Sequence, residues 1–180
     1  MTNEFQGQVN ILFQKQVNIL PAIGVPGQHM STNPLVSTQK GYCAADTVTI
    51  GGFVWAATAD KNDASVKSTG TGAPLGFAVR EITNPLGYNQ PASNTVPKGF
   101  PVSVAVKGDF AVITRTAATV GQSVFAVFKD GSIKTGEAGS SVDDAIETDY
   151  KVVNINGDGA ADDIIVISNW GLMKGEETNV

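Results

Sequence analysis

The residues of this sequence that come closest to a chemical site lie in a run rich in Asn, Asp and Gly near the C-terminal end. Side chains with oxygen atoms recur there at the spacing of positions 1, 3, 5 and 9 of a calcium-binding loop, where carboxylate and amide oxygens surround a hard cation. The four candidate ligands are Asn154, Asn156, Asp158 and Asp162. The position that should supply a bidentate Glu is Ile165. A Gly-Asp-Gly turn between two strands explains the same residues without a metal, and the sequence favours that turn over a calcium site.

Catalytic side chains are scarce elsewhere in the chain. The only histidine, His29, lies in a stretch rich in Pro and Gly, and we expect it to be exposed or to pack. The only cysteine, Cys43, is expected to be a buried, inert thiol. One Cys and one His are too few for a zinc site, and neither a phosphate-binding loop nor a Gly-x-Ser-x-Gly motif is present. The sequence therefore predicts a protein that is not an enzyme and has no cofactor.

Charge is distributed unevenly along the chain. Residues 1–135 carry a net charge of +3, and residues 136–180 carry −8. The acidic residues Asp143, Asp144, Glu147 and Asp149 are expected to form a solvated face rather than a pair of catalytic carboxylates. Nucleic-acid binding needs a basic stripe, which this distribution lacks. Direct contact with DNA or RNA is therefore not expected.

The overall composition predicts an all-β protein. The 180 residues fit one domain, and only 16% of them are charged, against about 25% in ordinary globular proteins. The 20 glycines favour short strands joined by tight turns. The chain lacks the run of about 20 apolar residues that a membrane helix needs, and its start lacks the features of a signal peptide. A single cysteine cannot form an internal disulfide, so we expect synthesis in a reducing compartment and no membrane partner.

The first twenty residues contain an internal repeat. The run Gln-Val-Asn-Ile-Leu occupies residues 8–12 and recurs at residues 16–20. An offset of eight returns each residue type to the same face of a strand, whereas in a helix it would rotate the copies by about 80°. The apolar face of that strand consists of Val9, Ile11, Phe13, Val17 and Ile19. We expect an extended segment that pairs either with the chain's own sheet or, as an arm, with a neighbouring subunit.

We expect the chain to have three parts: an extended N-terminal arm and linker at residues 1–45, a β core domain at 46–171, and a polar C-terminal tail at 172–180. Residues 21–45 hold three Pro and three Gly with little periodicity, which predicts a loop or linker. Eight strand candidates follow, at residues 47–50, 53–58, 75–81, 102–107, 110–115, 123–129, 150–155 and 164–169. Together they predict a small antiparallel β-barrel or sandwich.

Turn-forming residues lie between these strand candidates. Residues 107–109 and 129–132 each place Gly and Asp between apolar runs, so we expect a hairpin at both sites. Residues 60–72 and 84–99 are long, polar and rich in Gly, Pro, Ser and Asn, and are expected to be surface loops. Residues 140–148 form the one candidate helix, because a capping serine precedes an acidic residue by three positions.

Two tryptophans mark strand positions. Trp55 alternates with small apolar residues inside an early strand, and Trp170 ends the last strand candidate. Core packing is the ordinary expectation for both. Trp170 is also a candidate for partner binding, together with the apolar face of the N-terminal arm, because tryptophan is over-represented among residues that anchor interfaces.

The runs between residues 51 and 134 carry a resemblance to a known family. The relevant motifs are Gly-Phe-Val-Trp at 52–55, Pro-Leu-Gly-Phe-Ala-Val-Arg at 74–80, Val-Ser-Val-Ala-Val-Lys-Gly-Asp-Phe at 102–110, Thr-Val-Gly-Gln-Ser-Val-Phe-Ala at 119–126 and Asp-Gly-Ser-Ile at 130–133. The last strand ends in Ile-Ser-Asn-Trp at 167–170. This pattern resembles the small β-barrel of head decoration, or structural cement, proteins of tailed bacteriophages.

The resemblance implies a structural protein of the virion. Such a protein is made in the host cytoplasm, binds the outer surface of the assembled head, and bridges neighbouring major capsid subunits. It implies a homo-oligomer, most commonly a trimer, with the N-terminal arm lying on a capsid protein or on an adjacent cement subunit.

A different class of function fits some of the same features. A carbohydrate- or receptor-binding β module on a virion fibre or cell surface would use the long loops and exposed aromatic residues such as Tyr88 or Trp170. That function needs several aromatic residues on one loop face. Only Tyr88 and Phe100 flank the long loop at residues 84–99, so the sequence favours the capsid protein.

Overall fold

The computed structural model describes residues 23–58, 63–81, 94–155 and 158–171. Within these ranges the chain forms fourteen strands and no helix, which confirms the all-β prediction. The strands are β1 (Val36–Ser37), β2 (Tyr42–Ala44), β3 (Val48–Thr49), β4 (Phe53–Ala56), β5 (Ser65–Lys67), β6 (Gly76–Ala78), β7 (Thr95–Val96), β8 (Pro101–Val102), β9 (Val104–Lys107), β10 (Asp109–Ile113), β11 (Ser123–Val127), β12 (Ile133–Gly136), β13 (Ala145–Ile155) and β14 (Ile164–Ser168). A search of the described ranges finds no helix with the length and apolarity to cross a bilayer.

The strands build three sheets. One has seven strands in the order β1-β9-β6-β4-β5-β2-β8, one has five in the order β10-β14-β13-β11-β12, and β3 pairs with β7 in the third. All pairs are antiparallel except β2 with β5. The seven-stranded sheet ends in β1 on one side and β8 on the other. The barrel alternative is therefore wrong, and the two large sheets pack across a shared core instead.

The central strands β4 and β6 of the seven-stranded sheet are buried on both faces. Along β4, Phe53 and Trp55 belong to the core shared with the five-stranded sheet, whereas Val54 belongs to a second core against β3 and β7. Phe77 and Ala78 on β6 divide in the same way. Because successive side chains of a strand point to opposite faces, a sheet with two covered faces needs continuous apolar runs. The sequence supplies such runs in place of strict alternation.

Four aromatic rings join the two large sheets. Phe53 and Phe77 come from the seven-stranded sheet, and Phe110 and Tyr150 come from the five-stranded sheet. The rings of Phe77 and Phe110 stack with centroids 4.4 Å apart, and Phe53 meets Tyr150 edge-on at 5.7 Å. Burial raises the pKa of the Tyr150 hydroxyl, which keeps it neutral. Aromatic pairs of this kind add about 0.5–1.5 kcal/mol beyond the burial of their area.

Both edges of the five-stranded sheet are covered by other parts of the chain. The segment 27–30 lies along β10, where Gly27 N and Met30 N donate to the carbonyl oxygens of Ala111 and Asp109, each at 2.8 Å. The segment 114–116 lies along β12, and Arg115 N donates to Ile133 O at 2.7 Å. Unpaired strand edges are sites where other chains add. Of the two large sheets, only the seven-stranded one keeps open strand edges within the described residues.

Most strand candidates are confirmed, with shorter or longer bounds. No strand was predicted at β1, β2 or β12. The two segments expected to be long surface loops contain the short strands β5 and β7. Val66 in β5 is fully buried. The helix expected at residues 140–148 is wrong, because β13 begins at Ala145 and pairs with β11. Pairing with β11 outweighs the weak helix-capping pattern at Ser141.

One of the two expected hairpins is confirmed. Residues 129–132 connect β11 to β12, which pair directly. Residues 107–109 do not form a hairpin, because β9 and β10 belong to different sheets. The chain passes from one sheet to the other at Gly108, and this crossing brings the end of β9 next to the end of β14 through Asn169, whose Oδ1 accepts from Gly108 N at 3.0 Å.

The segment expected to be a linker contains two strands of the seven-stranded sheet. β1 pairs with β9, and β2 lies between β5 and β8. The prediction of a buried Cys43 is wrong, because Ala44 of β2 points into the core and Cys43 points to the opposite, exposed face. The domain boundary near residue 45 stays a prediction.

Gly131 provides a test of how the β11–β12 turn supports the core. It has a φ of 70°, its carbonyl oxygen accepts from Phe53 N at 2.8 Å, and a Cβ there would overlap the Phe53 carbonyl oxygen. Gly131→Ala is expected to destabilise the protein by about 3 kcal/mol, from the left-handed backbone, the lost hydrogen bond and the displaced turn. Gly139 has a φ of 73° in open space, so Gly139→Ala should cost only about 1 kcal/mol. Denaturant unfolding measures both; equal losses would contradict the packing role of Gly131.

Candidate subunit interface

Exposed apolar side chains gather where β9 passes to β10. Four large apolar residues lie around Lys107 and Gly108, and together they are named the edge patch: Leu35 (37% exposed), Val36 (39%), Val106 (40%) and Trp170 (39%). Val36 is the cross-strand partner of Lys107 and shares its face of the sheet, whereas Val106 points to the opposite face, and Leu35 packs against Gly108. The edge patch therefore spans both faces of the sheet at its edge. Single exposed apolar residues are ordinary, but a group of them marks a site of protein contact.

The Trp170 ring is held in place by its neighbours. Lys107 Nζ lies 4.7 Å from the ring centroid, and Trp170 N donates to Ser168 Oγ at 3.1 Å. The preceding residue, Asn169, donates from Nδ2 to Val106 O at 2.8 Å. A cation over an exposed indole contributes about 0.5–1 kcal/mol. The ring is therefore positioned before any partner arrives, which lowers the cost of ordering it on binding.

An open strand edge adjoins the edge patch. β1 ends the seven-stranded sheet, and among the described residues it pairs only with β9. Both of its residues are exposed. A strand with one free edge offers backbone N–H and C=O groups to a strand of another protein, while neighbouring side chains supply the specificity. The other end strand, β8, begins with Pro101, which has no N–H to donate.

A groove of about 400 Å³ lies beside the edge patch, on the outer face of the five-stranded sheet. Two residues that line the groove, Asp109 and Gly171, directly follow Gly108 and Trp170 of the edge-patch region in the chain. The groove is lined by Met30, Ser31, Asn33, Asp109, Val120, Val153, Val166, Ser168 and Gly171.

Asp109 fastens the segment that leads to β1. Although it is 4% exposed, its Oδ2 accepts hydrogen bonds from Ser31 Oγ and from Asn33 Nδ2, the latter at 2.7 Å. Burial raises the pKa of this carboxyl, but the Ser168 and Ser31 hydroxyls, the Asn33 amide and the charge of His29 together bring the pKa below its ordinary value. The carboxylate is thus a fixed negative charge at the junction of groove and edge patch.

The candidate calcium ligands are only partly described. Asn156 lies outside the described residues. Asp162 Oδ1 forms an ion pair with Arg115 at 2.8 Å, and Asn154 Oδ1 accepts from the following backbone N–H at 2.9 Å. In the described ranges, no group of three or more His, Cys, Asp or Glu side chains is placed to hold a metal. β13 and β14 pair antiparallel on either side of this loop, as expected for a connection between two strands. The turn itself includes residues outside the described ranges, so the choice between turn and calcium site stays untested.

The other predicted residues divide between core and surface. Trp55 is buried, and its Nε1 donates to Gly72 O at 2.9 Å, which confirms core packing. His29 packs edge-on against Phe110, also as expected. The four acidic residues between 143 and 149 are exposed. Trp170 is not a core residue.

The aromatic residues proposed for sugar binding do not come together in the described ranges. Phe100 is 44% exposed and precedes β8, whereas Trp170 lies beside β9, near the opposite end of the strand order. Tyr88 lies outside the described residues.

Sequence reasoning missed most of the edge patch. Leu35 and Val36 form an apolar pair within the segment expected to be a linker, and that pair was the available signal. The apolar face of the N-terminal arm, from Val9 to Ile19, lies outside the described residues.

Comparison with known proteins identifies the family. The family model described as the XM1 gp53 minor capsid protein matches residues 13–169. The chain belongs to the XM1 gp53 minor capsid protein family. No significant match is found among curated proteins. A chain of the solved structure "The capsid of Myoviridae Phage XM1" has a similar fold, with a TM-score of 0.59 and 15% identity over 88% of this chain and 98% of that one.

Membership of the gp53 family settles the broad class of function. The family consists of minor capsid structural proteins, so the prediction that the chain is not an enzyme is confirmed. The resemblance to capsid-associated proteins of tailed phages is confirmed as well. The protein belongs to the phage capsid, which implies contact with other capsid proteins.

The Asp109 network makes a prediction about stability and pH. Asp109→Asn should destabilise this gp53 family member by about 1–2 kcal/mol at pH 7, because a neutral amide oxygen accepts weaker hydrogen bonds from Ser31 and Asn33 than the carboxylate does. The folded-state pKa lies below the ordinary 3.8. The carboxylate's contribution to the free energy of unfolding is therefore complete above the ordinary pKa and is lost as the pH falls through the lowered, folded-state pKa.

Denaturant unfolding at pH 7 and at pH 3 measures this difference. Asp149→Asn, at an exposed carboxylate, serves as the control and should change stability little. A difference between wild type and Asp109→Asn that stays constant from pH 7 into the acid range would contradict the assignment.

Proposed function

We propose that this protein binds the outer surface of an assembled phage capsid and cements neighbouring major capsid subunits. The observation that carries the proposal is the edge patch, an exposed apolar group with a fixed tryptophan beside an open strand edge, in a chain of a minor capsid protein family. Interfaces draw most of their affinity from a few aromatic and apolar anchors at their centre.

The free edge of β1 supports a bridging role. A strand from a capsid subunit that adds to β1 gains backbone hydrogen bonds, and the neighbouring Trp170 and Leu35 then bury apolar area against the same subunit. A cement protein must hold more than one subunit, so a second point of attachment is required. The N-terminal arm supplies it by holding a neighbouring copy of the protein, with Val9, Ile11, Phe13, Val17 and Ile19 as its apolar contacts.

We propose a trimer as the assembled form. The resemblance to head decoration proteins supports it, since these commonly occupy three-fold positions of the shell. With several attachments per oligomer, a modest affinity at each contact gives strong retention on the shell.

The first experiment mixes the purified protein with capsid shells that lack it and measures co-sedimentation. Saturable binding is expected, and shells saturated with the protein should withstand a higher temperature than bare shells before they release their contents. Failure of the intact chain to bind would reject the capsid-surface proposal and favour sugar binding, whereas binding without added heat resistance would reject the cementing role.

Trp170→Ala tests the edge patch. Loss of an aromatic anchor costs about 2 kcal/mol or more, so the dissociation constant for shells should rise by more than about tenfold. The matched control is Phe100→Ala, because Phe100 is 44% exposed near the other end of the strand order. Equal effects of the two substitutions in the co-sedimentation assay would contradict a specific role for the edge patch. Thermal unfolding checks that both variants remain folded.

Removal of residues 1–20 tests the arm. The truncated protein should still fold, because the described core begins after this segment, and its binding to shells should weaken because one of two attachments is lost. Co-sedimentation of the full and truncated chains measures the difference. Identical binding curves would show that the arm makes no attachment.

A further inference from the structure

The groove lies where both ends of the described chain meet. On one wall, Gly24 packs against Met30 Sδ and Ala111 Cβ, so the chain enters the described region beside the groove. At the end of the groove lies Gly171, where the C-terminal described segment stops. The 22 residues that precede Ile23 therefore begin next to this groove.

The groove has the chemistry of a strand-binding site. Val153 and Val166 from adjacent strands form part of its lining, and Met30 and Val120 contribute further apolar surface. Val120 is 57% exposed, the highest value among the exposed large apolar residues. The remaining lining residues offer hydroxyl, amide and carboxylate groups. An extended segment with apolar side chains on one face and amides on the other matches this surface.

The N-terminal arm has that pattern. Val9, Ile11, Phe13, Val17 and Ile19 share one face of an extended strand. Gln and Asn residues supply most of the other face, at positions 8, 10, 14, 16 and 18. Fully extended, 22 residues reach about 70 Å, whereas a domain of this size is about 40 Å across. The arm is thus long enough to pass its own domain and to reach an adjacent copy.

We propose that the groove receives the N-terminal arm of a second copy of this chain, so that neighbouring copies on the capsid are tied together by exchanged arms. This inference rests on the proposed function, because the shell is what holds copies side by side. Exchange of an identical segment between copies is a low-cost route to an oligomer. It also raises the effective concentration of each arm at its groove.

The test uses two complementary variants of the full protein. One lacks residues 1–20 and keeps the groove; the other carries Val153→Arg, which fills the groove and keeps the arm. Val153 is half-buried in β13, so a long side chain can turn outward without entering the core. Val25→Arg is the control for the substitution, since Val25 is 48% exposed and does not line the groove. Thermal unfolding checks the fold of each variant.

Each variant alone should bind shells about tenfold more weakly than the intact protein, and an equimolar mixture should recover binding to within about threefold. Recovery is expected because the open groove of each truncated copy accepts the arm of a Val153→Arg copy. If the mixture binds shells no better than the two variants do separately, the inference is overturned. That result would mean that each groove takes the arm of its own chain, because such a copy gains nothing from a partner. Unchanged binding by Val153→Arg alone overturns it as well.

A separate measurement distinguishes failure of the inference from failure of the proposed function. Sedimentation velocity of the concentrated mixture without shells should show a complex that contains both variants and that is missing when both carry the truncation. If the intact protein does not bind shells but this complex forms, the exchange stands and the cementing role falls. If shells bind the intact protein and neither the complex nor the recovery is seen, the exchange falls alone.

Discussion

The stacked rings of Phe77 and Phe110, with centroids 4.4 Å apart, connect β6 of one sheet to β10 of the other. Because these rings fix the separation of the two sheets, they also fix the short crossing from β9 to β10. That crossing places Lys107 under the Trp170 ring and Leu35 against Gly108. The position of the edge patch is therefore a consequence of how the core joins its sheets.

Burial on both faces leaves few positions for charge in the central strands of the seven-stranded sheet. The five-stranded sheet covers one face of β4 and β6, and β3 and β7 cover the other. Ion pairs contribute little in return: Arg115 and Asp162 form a pair, but their side chains are 56% and 70% exposed. Such a pair contributes at most about 1 kcal/mol. The stability of the described core rests on apolar and aromatic packing.

Alternating and continuous apolar runs predicted the long strands, because the burial of a strand's side chains shows in its own sequence. The short strands could not be predicted in this way. β1 and β2 have two and three residues and exist only through pairing with β9, β5 and β8, which lie far along the chain. The candidate site also depends on contacts between distant parts of the chain. Asp109 accepts hydrogen bonds from Ser31 and Asn33, which lie 78 and 76 residues away, and no local pattern encodes these contacts. Trp170 was a candidate from its residue type alone, since tryptophan is over-represented among interface anchors, and its role in partner binding stays a prediction.

The position of the segment between residues 26 and 37 links these observations. It covers the edge of β10, is fastened by Asp109, and then forms β1 at the open end of the other sheet. One segment thus closes the edge of the five-stranded sheet and forms the exposed edge strand of the seven-stranded sheet. Because this segment is held at both sheets, the edge of β1 is in place before binding, and a partner strand of the kind proposed would not have to offset the cost of ordering β1.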